Sequence, residues 1–147
     1  MNLSTHFSDD ELGVVGVDPR IIQNAAFLCM TLLEPIRSYY NVPLVIHDGY
    51  RDPSHNARVG GKPTSWHQAE GGEMAADFNV HGVGCLLVFD YIRLQSKLPF
   101  DKLILEMNAS GIYSTVHIQV DRLNPPRRQA FTGSTGAGVT YVSVPVL

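Results

Sequence analysis

The sequence predicts an α+β fold with a mostly antiparallel central sheet. One long run of apolar residues recurs at helical spacing, several short segments alternate apolar and polar residues, and no repeat or low-complexity linker divides the chain. At 147 residues the chain has the usual size of one domain, so a single unit over residues 1–147 is expected.

The elements follow in order. Ser8, Asp9, Asp10 and Glu11 have the composition of a short helix cap, with Phe7 as the apolar anchor before it. Asp18 is a good N-cap and Pro19 fits the first helical position. Ile21, Ile22, Ala25, Leu28, Cys29, Leu32, Leu33 and Ile36 then line one helix face, with Pro35 expected to kink or break it. Asn41 and Pro43 mark the end. Leu44–His47 reads as a strand, and residues 48–74 as a long loop rich in Gly, Pro, Ser, His and Asn, a kind of segment that usually carries function. Ala75–Val80 reads as a strand, Gly84–Lys97 as a helix, and Lys102–Glu106 and Thr115–Val120 as two further strands. A Gly-rich turn is expected over Thr132–Gly138 and a last strand over Thr140–Val144.

Composition narrows the function classes. The chain is 44% apolar and 17% charged, with net charge −3, as in ordinary soluble globular proteins. Its basic residues are scattered, which argues against a nucleic-acid groove or an anionic membrane surface. No run approaches the length of a membrane span. Met1–Glu11 has neither the basic nor the apolar region of a signal peptide, so synthesis in the cytoplasm is expected. Cys29 and Cys85 fall in apolar helical stretches and read as buried thiols rather than a disulfide.

Chemistry concentrates on two strands. Ala76, Phe78 and Val80 share one pleat face and Ala75, Asp77 and Asn79 the other; Val116, Ile118 and Val120 likewise oppose Thr115, His117 and Gln119. If the strands are neighbours, Asp77 and His117 face one cleft, and His67 in the preceding loop can complete a three-residue set. Two imidazoles and a carboxylate suit Zn²⁺, with a fourth position left for water. On the pleat alone, a structural histidine and a solvated aspartate fit the same pattern.

The longer motif is more specific. Asp48-Gly49-Tyr50-Arg51-Asp52-Pro53, Asn56, Val59-Gly60-Gly61 and Ser65-Trp66-His67 are followed by Gly72, Ala75-Ala76-Asp77-Phe78 and Val116-His117-Ile118. Phe7–Leu12, Leu33-Glu34-Pro35 and Pro99–Ile104 extend the likeness over nearly the whole chain. This pattern resembles the D-alanyl-D-alanine zinc carboxypeptidase family, which includes phage endolysins.

The resemblance implies helices on one side of the sheet and a zinc cleft on the other. It implies one zinc ion per chain, held by His67, Asp77 and His117. It also implies hydrolysis of peptidoglycan stem-peptide amide bonds by metal-activated water, after phage-type release or from within a virion, by a monomer. Arg51 takes the place of the arginine that holds a substrate carboxylate or oxyanion; the alternative is a loop brace to Asp48 or Asp52. Ser65 and Tyr50 are further substrate-binding candidates; Ser65 bonds a substrate or the loop backbone, and Tyr50 and Trp66 line the cleft or pack beneath the loop.

Two departures stand out. His67 and Asp77 lie ten residues apart, more than is usual in the family, and the extra residues bring Glu70 and Glu73 into question. The glutamate or histidine that often precedes the last ligand is replaced by Ser114 and Thr115, so Glu106 is the candidate general base and Glu73 the reserve. His47, His55 and His81 lack motif positions. These departures also motivate an alternative, a non-catalytic structural or binding module of the same fold, zinc-stapled or metal-free.

Overall fold

The computed structural model describes residues 1–134 and 140–147. Helix α1 spans Pro19–Leu28, a π-helical turn follows at Cys29–Leu33, and α2 spans Glu34–Tyr40. Strand β1 is Leu44–Asp48, α3 Pro53–Arg58, a 3₁₀ turn Trp66–Gln68, β2 Glu73–Val80 and α4 Cys85–Leu94. Strands β3 (Lys102–Met107), β4 (Tyr113–Asp121), β5 (Gln129–Ser134) and β6 (Tyr141–Val144) complete the fold. Among the described residues six strands form one sheet in the order β1-β2-β4-β3-β5-β6, with only the β3–β5 pair parallel. The architecture is α+β.

Local chemistry explains the elements and the differences from expectation. Asp18 caps α1, its carboxylate accepting from Arg20 N at 2.8 Å, with Pro19 at the first position. Pro35 neither breaks nor ends the helix. The backbone widens into the π turn just before it, Glu34 N reaching back to Cys29 O, and the chain continues helically to Tyr40. Ser8 and Glu11 form a reciprocal capping box, but only turns follow. The long loop contains α3, capped by the Asp52 side chain on His55 N at 2.7 Å with Pro53 at its start. Strand β2 begins two residues earlier than expected. Of the expected Gly-rich turn, residues 132–134 belong to β5 and the rest lies outside the described residues.

The core lies on one face of the sheet. Met74, Ala76, Phe78 and Val80 from β2 and Val116, Ile118 and Val120 from β4 pack there with Leu28, Leu32, Leu33 and Ile36, and with Val88, Phe89 and Ile92 from α4. Cys29 is buried and its thiol pushed up to about 12, by burial first and then by Glu34 and Glu11; Cys85 is half-buried, and both are free.

The residues between His67 and Asp77 are fastened to α1. Arg20 donates to the carbonyls of Ala69 (2.5 Å) and Gly71 (2.6 Å). The buried Asn24 amide donates to Gly71 O at 3.0 Å and Glu73 O at 3.1 Å, while its oxygen accepts from Arg122 Nε at 2.7 Å. The added length is thus pinned against a helix instead of hanging over the sheet.

Candidate metal centre

The face of the sheet opposite the core carries a cleft of about 1270 Å³, lined by Arg51, Ser65, His67, Asp77, Glu106 and His117 among others. Its centre is set by register. Asp77 on β2 pairs directly with His117 on β4, which pairs with Ile104 on β3; two residues along, Glu106 pairs with Thr115. Period-2 alternation sends Phe78 and Val116 to the core and Asp77 and His117 to the cleft. His67 arrives from the 3₁₀ turn, its backbone N–H directed at Ser65 Oγ at 3.3 Å.

His67, Asp77 and His117 each offer a ligand atom, and these atoms lie within 4.8 Å of one another. His67 Nε2 is 3.3 Å from Asp77 Oδ2, and His117 Nδ1 is 2.9 Å from Asp77 Oδ1. The other nitrogens are committed elsewhere. His67 Nδ1 lies 2.7 Å from Gly49 O, an acceptor only, so it carries the hydrogen and leaves a lone pair on Nε2. Gly49 is required here, since a Cβ would stand 2.5 Å from Leu12 O. His117 Nε2 lies 2.9 Å from Gln119 Oε1, again an acceptor. With both rings neutral, two imidazole lone pairs and a carboxylate therefore converge from buried or half-buried side chains, and only a proton or a cation between them relieves the contact. Such a donor set calls for a cation, and its chemistry fits Zn²⁺.

The charges agree. Burial alone would raise Asp77, but hydrogen bonds from His117 and His67 hold its carboxyl well below the usual carboxylate range. Burial would lower His117, yet Asp77 beside it pulls its pKa up. Glu106 is raised, by burial first and then by the Asp77 charge. Among the described residues no fourth His, Cys, Asp or Glu joins the three. Glu73 pairs with Asp121 at the far end of the β2–β4 ladder, four residues from Asp77, so the longer loop does not bring it to the centre.

The other candidates are placed as follows. Arg51 lines the cleft, but its Nε donates to Asp48 Oδ2 at 2.5 Å, and its Nη2 lies 3.6 Å from Asp77 Oδ2. Ser65 caps the turn that carries His67. Tyr50 is absent from the cleft wall; it packs on the core and borders a smaller pocket with Asp48 and His55. Trp66 is in the cleft wall, with the Arg127 guanidinium 5.5 Å over its ring. His47 is the extra residue of a β1 bulge and faces Asn79 Oδ1 at 2.6 Å.

Two cleft residues escape sequence reasoning. Tyr141 on β6 sits across Gly133 from Glu106 and lines the same cleft; burial, Glu106 and Asp77 raise its phenol. Gln119 shares the pleat face of His117, a visible signal, but its use depends on Asp101 at the start of β3.

No helix among the described residues is long and apolar enough to cross a membrane. A search of curated protein sequences returns no match. The family model described as peptidase M15 matches residues 3–115, a stretch that takes in Arg51, His67, Asp77 and Glu106 and stops two residues short of His117. With a match over most of its length, and a His-Asp-His cluster that could hold a metal ion, the chain belongs to the peptidase M15 family.

Proposed function

We propose that the chain is a zinc-dependent peptidase that hydrolyses amide bonds of peptidoglycan stem peptides, at a D-Ala-D-Ala end or at an internal bond. The observation that carries this reading is the convergence of His67, Asp77 and His117 with their lone pairs directed at one point. The family supplies the peptidase class, and the open cleft supplies room for a peptide.

His67 through Nε2, Asp77 through its carboxylate and His117 through Nδ1 would hold the ion. Zinc supplies Lewis acidity toward water and toward the scissile carbonyl. Glu106 takes the proton from the attacking water and returns it to the leaving amine. Its raised pKa suits both halves of that task, because a base nearer neutrality also gives its proton back readily. Arg51 already balances Asp48 and Asp77 and reaches Asn56 Oδ1 through Nη1 at 3.4 Å; as part of the cleft wall its guanidinium would serve a substrate carboxylate or the developing oxyanion. Ser65 positions His67 and borders the substrate path. Work on the cell wall, after phage-type release or as a virion part, follows from the substrate class.

A closed zinc staple would require a fourth protein ligand, and the described residues provide three, which favours the enzyme. The test combines elemental analysis with turnover. Wild type should carry about one zinc per chain and release peptides from purified peptidoglycan. Glu106→Gln should keep the zinc and lose at least about 100-fold in rate. Full activity in Glu106→Gln would remove Glu106 from the mechanism, and a wild type that takes up no zinc would end the hydrolase reading.

A further inference from the structure

Behind His117 runs a chain of hydrogen bonds whose polarity is fixed from its far end. Arg127 grips Asp101 through three donors: Nε to Oδ1 at 2.9 Å, Nη2 to Oδ2 at 2.7 Å, and its backbone N to Oδ1 at 3.2 Å. The Asp101 side chain is only 3% exposed, and it remains a carboxylate because these bonds and one from Gln119 outweigh its burial. A carboxylate only accepts, so the Gln119 atom 3.1 Å from Asp101 Oδ2 has to be the amide nitrogen. The Gln119 oxygen then faces His117 Nε2 at 2.9 Å and itself only accepts. That nitrogen must carry hydrogen. A neutral His117 ring consequently presents its lone pair at Nδ1, the atom beside Asp77.

We propose that Gln119, aligned by the Asp101–Arg127 pair, is the positioning residue that commits His117 to metal binding through Nδ1. A His117 ring with its hydrogen on Nδ1 would turn a lone pair at Nε2 toward the Gln119 oxygen, and reversing the amide to meet it would set that oxygen against the Asp101 carboxylate, so the other tautomer loses a contact either way. The relay also returns to the other side of the centre. The Arg127 guanidinium lies over the ring of Trp66, the residue that precedes His67. Partners of this kind beyond the ligands commonly change metal affinity by about 10- to 100-fold.

The inference rests on the zinc reading, and the experiment separates the two. Zinc affinity is measured by chelator competition on wild type, Gln119→Leu and Gln119→Glu. The His117 ring nitrogens are followed in the zinc-loaded proteins by long-range ¹H–¹⁵N correlation. In wild type the hydrogen should reside on Nε2 and exchange slowly. Gln119→Leu should bind zinc about 10- to 100-fold more weakly, with a fast-exchanging Nε2–H. Gln119→Glu keeps an acceptor toward His117 and, by sharing a proton with Asp101 where the amide N–H stood, should recover the slow-exchanging Nε2–H and part of the affinity.

A wild type that binds zinc through Nε2, or a folded Gln119→Leu with unchanged affinity and ring signals, would overturn this inference alone. If Gln119→Leu does not fold, the wild-type ring assignment and Gln119→Glu still decide it. A wild type that takes up no zinc would remove the functional reading and this inference together.

Discussion

Asp48 and Asp77 stand opposite one another at the bulged end of the β1–β2 ladder, two carboxylates in direct cross-strand register. Like charges so placed repel, and Arg51 answers both, through Nε on Asp48 and Nη2 toward Asp77. The bulge at His47 is what brings Asp48 into that position.

Removing Arg51 should therefore act before any substrate arrives. Arg51→Ala is expected to destabilise the metal-free protein by about 2–3 kcal/mol, read from the denaturant midpoint. Zinc should recover part of that loss by binding Asp77. Arg51→Lys should rescue little, since one ammonium cannot span both carboxylates. A metal-free Arg51→Ala as stable as wild type would show that the two aspartates need no counter-charge.

The pair of Asp101 and Arg127 predicts a pH dependence. The folded pKa of Asp101 is depressed, so its contribution is fully present above the ordinary carboxylate value of about 4 and lost as pH falls through the lower folded value. At pH 7 the metal-free Asp101→Ala variant should be about 2–3 kcal/mol less stable than wild type, with Arg127 half-exposed and so still hydrated. The gap should narrow steadily below pH 4. A gap that stays constant down to pH 2 would mean that packing, and not the charge, makes the difference.

Gly133 lies beneath the ring of Tyr141. A Cβ there would stand 2.2 Å from Tyr141 Cδ1 and 2.8 Å from Thr140 O, a backbone atom that cannot swing aside. Gly133→Ala should cost about 1–3 kcal/mol and displace Tyr141 from the cleft. Peptidoglycan turnover should fall while zinc content stays at the wild-type level. Tyr141→Phe separates the hydroxyl from the ring: equal losses in both variants point to the phenol. Unchanged turnover in Gly133→Ala would place Tyr141 outside the substrate path.

Much of this was legible in the sequence, for identifiable reasons. Alternation is a local property, so the cleft-facing positions of Asp77 and His117 could be read without knowing which strands pair. The same holds for the Asp18–Pro19 start of α1. The Asp52–Pro53 start of α3 carries an identical signal, obscured because that helix is six residues long and polar. The extent of β2 was shortened because its start is held by Asn24 and Arg20, partners about 50 residues away in sequence. Tyr141 joins the cleft through a parallel β3–β5 pairing that no local pattern announces. Ser65 and Tyr50 were equally prominent in the motif, yet Tyr50 packs against the core and its N–H meets Leu12 O.

The strand order has a consequence for how the molecule is assembled. His67 and Asp77 come from the part of the chain that precedes α4, whereas Glu106, His117 and Gln119 come from the β3–β4 hairpin, whose connection is short and local. The centre exists only once that hairpin docks edge-on against β2, so its residues mark a seam between an N-terminal and a C-terminal subassembly. A cation bound there would rivet the seam, coupling the last docking event to metal capture. Hydrolytic competence would then appear late, when the two halves have closed on each other and the chain is already folded.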